Sequence, residues 1–281
     1  MPWLLPENKA QRLALAKGYP FDAPSQSFFF HLAAPARDAV GRAKVAGGGG
    51  PESQVQQLVD MDPALLRGRH AVLGHGSNRA PRQLARKFDG PEFARLRGAD
   101  PAAAEQIIPV TYLWLQGYDV VYSAHVTRYG AIASNLTRRQ GCRVRVAVTW
   151  LTDLQLHRMH ATEGRNYPYG WLKGVAWECE LPGVAPVLGA ARLHVYKSQH
   201  GCLADATGEP LSMAAIAATG RCQAAASQEE ALDLVRQRHY GGEDLDSHIL
   251  ANIADPARRA RLTAALAREA VPSQMPHFRP L

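Results

Sequence analysis

The sequence predicts an α+β fold, with a small curved or barrel-like mixed β-sheet flanked by helices, an N-terminal extension and a helical C-terminus. Three observations carry this. Short runs rich in valine, isoleucine and aromatic residues recur at strand length from residue 70 onward. Two capping boxes, Thr152-Asp153-Leu154-Gln155 and Ser227-Gln228-Glu229-Glu230, mark helix starts. Beyond the second, helical spacing dominates. Strands with interposed helices, then helices alone, give the α+β order.

Residues 1–70 read as an extension that wraps the core. Asn8 to Lys17 has helical spacing, which Gly18 and Pro20 stop. The run Phe28-Phe29-Phe30 is too apolar to sit in water and is expected to pack on the main body. Gly47 to Gly50, followed by Pro51, reads as a flexible loop, and Glu52 to Val59 as a short helix.

Residues 71–240 form the main unit. Ala71-Val72-Leu73 is a short buried strand that runs into a glycine-rich loop. Pro81 then opens a basic helix to Phe88, since its fixed φ suits a first helical turn. Ile107 to Leu115 and Tyr118 to Val126 read as a strand pair joined at Gln116-Gly117. Ile132 centres a short extended segment. Arg143 to Leu151 alternates Val144, Val146, Val148 and Trp150 with Arg145, Ala147 and Thr149, a half-buried strand. The helix capped by Thr152 ends near Gly164. Trp171 to Leu181 and Arg192 to Lys197 read as strands, and Leu211 to Ala218 as a helix. The second capping box opens a helix from Glu229 to Arg238. In residues 241–281, Asp246 to Ile253 and Pro256 to Ala270 are helical.

Composition bounds the function. With 281 residues, 46% hydrophobic and 20% charged, the chain can bury a large core and holds about two domains at most. No apolar run reaches the roughly 20 residues of a membrane span. The N-terminus lacks the basic region and long apolar stretch of a signal peptide, so a cytoplasmic location and no membrane partner are expected. Cys142, Cys179, Cys202 and Cys222 are scattered and form no CxxC pair, so each is expected to be a small buried apolar residue. Net charge is +7, from 32 Lys and Arg against 25 Asp and Glu. The arginines are spread along the chain without a nucleic-acid motif, so nucleic acid is not the expected partner.

Two features can carry chemistry. Gly74-His75-Gly76-Ser77-Asn78 follows a strand and precedes a helix. Its glycines allow close approach of a ligand, its N–H groups and the helix start favour an anion, and Ser77 and Asn78 add side-chain donors and acceptors. It is neither a P-loop nor a GxGxxG or GxSxG motif, and a plain tight turn is the competing reading. Glu163 lies at the end of the helix capped by Thr152. The negative end of the helix dipole, with burial, would raise its pKa as acid–base catalysis requires. An exposed glutamate at a fraying helix end is the alternative. Asn166, Tyr167, Tyr169 and Trp171 follow and could wall a pocket.

A strand, this HGSN loop, a helix, and later a glutamate followed by tyrosines before a strand together resemble the γ-glutamylcyclotransferase-like superfamily over residues 71–196. The resemblance implies that Gly74, His75, Gly76, Ser77 and Asn78 bind the amino-acid end of a γ-glutamyl substrate. It implies that Glu163 is the general acid–base and that Tyr167 or Tyr169 supports it. The expected reaction cyclises a small γ-glutamyl amine or peptide to 5-oxoproline and releases the amine, with no metal and no cofactor. His75 stands where the family commonly has tyrosine, Arg79-Ala80-Pro81 follows where leucine or methionine is common, and the extension has no counterpart in the minimal fold.

Other groupings remain. His157, His160 and Glu163 step by threes and drift around the helix, which does not favour a metal site. Asp244, Asp246 and His248 could suggest a metal but more simply cap the next helix. Cys202 near His200 could be a reactive thiol, and Arg138, Arg139, Arg143 and Arg145 an anion-binding rim or a solvated strand face. A binding module for a small anion or a protein is the alternative to an enzyme.

Overall fold

The computed structural model describes residues 5–32, 35–37, 43–45, 51–98 and 101–281. Helix α1 (Lys9–Lys17) is capped by Asn8, whose side chain accepts from the Ala10 and Gln11 N–H groups. Strand β1 (Phe28–His31) follows, then a small ribbon of β2 (Pro35–Arg37) and β3 (Ala43–Val45), and β4 (Val55–Gln57). The segment 52–59, expected to be helical, is instead a 3₁₀ turn, Pro51–Gln54, leading into β4 against β1. Val55 has a ladder partner in Phe30, and that pairing outweighs a weak helical pattern. The glycine run 47–50 lies outside the described residues.

Strand β5 (His70–Gly74), helix α2 (Pro81–Phe88) and helix α3 (Pro91–Arg97) precede two strands of 20 residues, β6 (Ile107–Val126) and β7 (Ile132–Leu151). Here the expectation of a turn at Gln116-Gly117 is overturned. Gly117 has a positive φ of 72°, but one such residue does not reverse the chain, and β6 continues. Its partner is β7. Gln116 faces Arg143 and Tyr118 faces Arg138, so the residues between them on β7 bulge outward. The segment around Ile132 and the strand from Arg143 are one element.

Next come α4 (Asp153–Glu163), β8 (Tyr169–Leu172), β9 (Trp177–Cys179), α5 (Ala185–Ala190) and β10 (Leu193–Tyr196). The stretch expected as one strand over 171–181 is broken between β8 and β9, near Gly174 at φ 66°. The helix expected over 211–218 is absent. Its ends form β11 (Ser212–Met213) and β12 (Ala218–Thr219), which pair with β6 and β7. Beyond β13 (Ala225–Ala226), helices α6 (Gln228–Tyr240), α7 (Leu245–Ala254) and α8 (Pro256–Arg268) and strand β14 (Phe278–Pro280) complete the chain. Both expected capping boxes are formed, and Asp244 caps α7.

Twelve strands make one mixed sheet with the central order β13-β11-β6-β7-β5-β10-β8-β14. The β5–β10 and β11–β13 pairs are parallel and the others antiparallel. The phenylalanine run joins this sheet: Phe28 to His31 pair with Val110 to Ile107, and Phe28 and Phe30 are fully buried. Alternation sends Ala71 and Leu73 of β5 to one core cluster and Val72 to a second, beneath Leu84, Phe88 and Met159. The β5 strand is therefore apolar on both faces. Among the described residues no helix is long and apolar enough to cross a membrane.

Cys142 and Cys202 are buried, Cys179 is half-buried, and Cys222 is exposed, which corrects the expectation for that residue. Burial raises the Cys202 thiol to about 11, so it is not a poised nucleophile. A thiol reagent at neutral pH is expected to label Cys222 first and Cys202 only on unfolding. Mass spectrometry of the labelled peptides checks this, and early modification of Cys202 would contradict the packing.

Candidate active site

The strand β5 delivers the loop, α2 follows it, and α4 ends above it. These three elements set the site. Arg158 of α4 donates from Nε to the Lys87 carbonyl at 2.7 Å, which pins α4 to the last turn of α2. Glu163, the final residue of α4, is thereby held over Asn78 and Lys87. Asn78 Nδ2 donates to Glu163 Oε1 at 2.8 Å, and Lys87 Nζ donates to the same oxygen at 2.5 Å. Lys87 also lies 3.2 Å from Met159 Sδ. The pair is interior: the side chains are 4% exposed for Lys87 and 13% for Glu163. Glu163 Oε2 has no hydrogen-bond partner among the described residues.

This reverses the sign expected for Glu163. Burial alone raises its pKa, but the Lys87 charge and the hydrogen bonds from Lys87 and Asn78 together outweigh it. The net shift is downward. The carboxyl is ionised at neutral pH despite its place at a helix C-terminus, because a full charge in contact exceeds the partial charge of a helix end.

A cavity of about 250 Å³ opens beside this pair. Its lining includes His75, Gly76, Ser77, Asn78, Glu163 and Tyr167, so the loop and the carboxylate face one space. Ser77 is buried, and its hydroxyl has no partner among the described residues. Tyr167 donates to the Ser134 carbonyl at 3.0 Å, which fixes its ring in the wall. Gly74 does not line the cavity. It sits in β5 opposite Ala147, where a Cβ would come within 3.3 Å of the Arg79 N. Tyr169 is also elsewhere: its ring stacks on His194 at 5.1 Å and borders a separate cleft with His70 and Arg192. Trp171 lies under the Arg192 guanidinium. Tyr169 and Trp171 share one face of β8, whereas Tyr167 precedes that strand.

His75, the departure from the family loop, has both ring nitrogens engaged. Nε2 donates to the Tyr196 carbonyl at 3.0 Å, and Nδ1 lies 3.1 Å from Ser134 Oγ. Burial lowers its pKa, only partly offset by the Tyr196 carbonyl and Glu163, so the ring is neutral. It braces the cavity and has no nitrogen left to bind a ligand.

Lys87 and Tyr19 have no counterpart in the sequence reading as site residues. Lys87 belongs to an ordinary basic helix in the sequence; its sole signal is that it stands beside Phe88 on the face that α4 covers. Tyr19 comes from the N-terminal extension. Its hydroxyl donates to Ser134 Oγ at 2.8 Å and accepts from the Ser134 N–H at 2.9 Å, directly behind Gly76. A Cβ at Gly76 would lie 2.1 Å from Ser134 Oγ and 2.4 Å from the Tyr19 hydroxyl. Gly76→Ala is therefore expected to displace the loop and weaken ligand binding at least tenfold, since misplacement by about 1 Å is costly in a positioned site. Isothermal titration against a saturating wild-type ligand measures it, and unchanged affinity would show that the loop tolerates the shift.

The other groupings resolve. Among the described residues no group of three or more His, Cys, Asp or Glu could hold a metal ion. His160 Nδ1 meets the Tyr196 hydroxyl at 2.8 Å, and His200 Nε2 meets Asn166 Oδ1 at 3.0 Å. Arg139 binds Glu209, Arg143 pairs with Glu178, and Arg145 forks onto Glu180, so these three arginines form ion pairs along β7 and not an open anion rim. Comparison with protein-family models, with curated proteins and with solved structures gives no match.

Proposed function

We propose that this chain is a γ-glutamylcyclotransferase-type enzyme on a cyclotransferase-like fold. The observation that carries the reading is that the His75 to Asn78 loop and an ionised Glu163 face one cavity, with Glu163 Oε2 free of hydrogen-bond partners among the described residues. The substrate is a small γ-glutamyl amine or peptide. The Ser77 hydroxyl and the loop N–H groups at the start of α2 hold its α-carboxylate, and this bends the substrate toward the cyclising conformer. The free α-amine attacks the δ-carbonyl carbon. Glu163 Oε2 takes the proton from the attacking nitrogen and returns it to the leaving nitrogen as the C–N bond breaks. Lys87 and Asn78 occupy Oε1, so they keep the carboxyl in its basic form and present the other oxygen.

The test is release of 5-oxoproline by the wild-type chain from a panel of γ-glutamyl amines and dipeptides. Saturable release from at least one member is the expected result. No release from any of them overturns the proposal. One observation favours a second reading: Lys87 already neutralises Glu163, as suits a module that holds a small anion without turnover. That reading predicts binding of glutamate or 5-oxoproline with no cyclisation.

A further inference from the structure

The cavity contains a group that the mechanism above leaves idle. His125, next to the last residue of β6, lines the cavity yet is only 3% exposed. Its ring neighbours are Tyr167, in a T-shaped contact at 5.5 Å, and His200, tilted at 4.8 Å. Its Nδ1 lies 2.8 Å from Ser123 Oγ, which lies 2.6 Å from Ser198 Oγ. Nε2 has no partner among the described residues.

Proton accounting fixes the tautomer. Among the described residues Ser198 Oγ has two hydrogen-bond neighbours, Ser123 Oγ and the His200 N–H at 3.2 Å. The N–H can only donate, so the Ser198 hydroxyl hydrogen goes to Ser123 Oγ. The Ser123 hydrogen then goes to His125 Nδ1, which is an acceptor. A neutral imidazole with an accepting Nδ1 carries its proton on Nε2. Burial, with a smaller push from His200, lowers the His125 pKa to about 3, so the ring is neutral over the physiological range. The cavity therefore receives an oriented N–H donor from a residue almost sealed from water. A preorganised donor of this kind stabilises charge where it develops.

We infer that His125 Nε2–H is a catalytic donor to the substrate's δ-carbonyl oxygen, and that Ser123 and Ser198 are positioning residues that hold it in the donating tautomer. This rests on the cyclotransferase reading and specifies its substrate class as a γ-glutamyl amide. As the α-amine forms the new C–N bond, the carbonyl π pair moves to oxygen, and that oxyanion accepts from Nε2–H. When the pair returns, the bond to the leaving nitrogen breaks and that nitrogen takes the proton carried by Glu163. His125 keeps its proton throughout.

Two measurements test this. Nitrogen NMR of histidine-labelled wild-type protein, with the His125 signal assigned by its loss in His125→Gln, is expected to show Nε2 protonated and Nδ1 unprotonated. Ser198→Ala is expected to convert this to a mixture of tautomers. The opposite tautomer in the wild type overturns the inference whatever the activity. In turnover, His125→Phe is expected to lower kcat about 100-fold or more with KM little changed, and His125→Gln, which keeps an N–H at a similar reach, to recover part of it. A wild type that cyclises γ-glutamyl amides while a folded His125→Phe retains full kcat sinks the role of His125 and leaves the cyclotransferase reading standing. A wild type that cyclises none sinks that reading, while the NMR result still decides the tautomer.

Discussion

Glu163→Gln is expected to lower kcat for 5-oxoproline release by about 100- to 10,000-fold with KM nearly unchanged, the range for removal of a general base. The change is conservative in shape. The glutamine carbonyl can still accept from Asn78 and Lys87, as Glu163 Oε1 does at 2.8 and 2.5 Å. The lost group is the second carboxylate oxygen, Oε2, which has no hydrogen-bond partner among the described residues. Lys87 is left with a dipole where it had a charge, so kinetics are taken well below the variant's own melting transition, with circular dichroism confirming the fold. A variant that keeps wild-type kcat would remove Glu163 from the chemistry.

The second large effect concerns Lys87. Lys87→Met keeps the length of the stem and its packing near Met159, but strands a carboxylate in the interior. Loss of one partner from a buried pair costs about 3–5 kcal/mol. The pH dependence gives a sharper signature. In the wild type the folded-state pKa of Glu163 is depressed. Its contribution to stability is complete above the unfolded carboxylate value, about 4.3, and is lost as pH falls through the folded value. In Lys87→Met, burial is left largely unopposed and the folded pKa rises above the unfolded one. The penalty is then largest at high pH and fades as pH falls and the carboxyl is protonated in both states. Denaturant titrations from acid to neutral pH should show the gap between the two proteins widening upward. The acid limb of the kcat/KM profile should move to higher pH in the variant. A gap that is the same at every pH would mean that Lys87 acts by packing alone.

The fold was legible where local chemistry decides it. Thr152, Ser227 and Asp244 all cap the helices their side chains announce. The strand before the loop and the proline-led α2 were equally plain. Errors fell where pairing decides. Gly117 looks like a turn and is not, because β7 bulges across from it and lets β6 run on. Residues 211–218 have helical spacing, but β6 and β7 offer open edges that recruit them as short strands. In the site, Glu163 and the loop were legible because a helix end and a glycine turn are local features. Lys87, Tyr19 and His125 were not. Each reaches the cavity through a tertiary contact, and nothing in its immediate neighbours distinguishes it from a solvated lysine, a core tyrosine or a strand histidine. The sign of the Glu163 shift failed for the same reason, since the charge that sets it lies 76 positions away in the chain.

Tyr19 has one more implication, for the order in which the molecule is assembled. Its hydroxyl meets Ser134 across 115 residues of intervening chain. During synthesis the extension emerges first and must wait for β7 before Tyr19 has anything to bind. Closing so long a loop is entropically slow to be repaid, and contacts of this span delay folding. The wall behind Gly76 is thus finished late, after the loop it supports has already been made. Competence of the cavity then depends on a contact that spans 115 residues, and the segment before β5 is as much a part of the cavity wall as the strand that carries the loop.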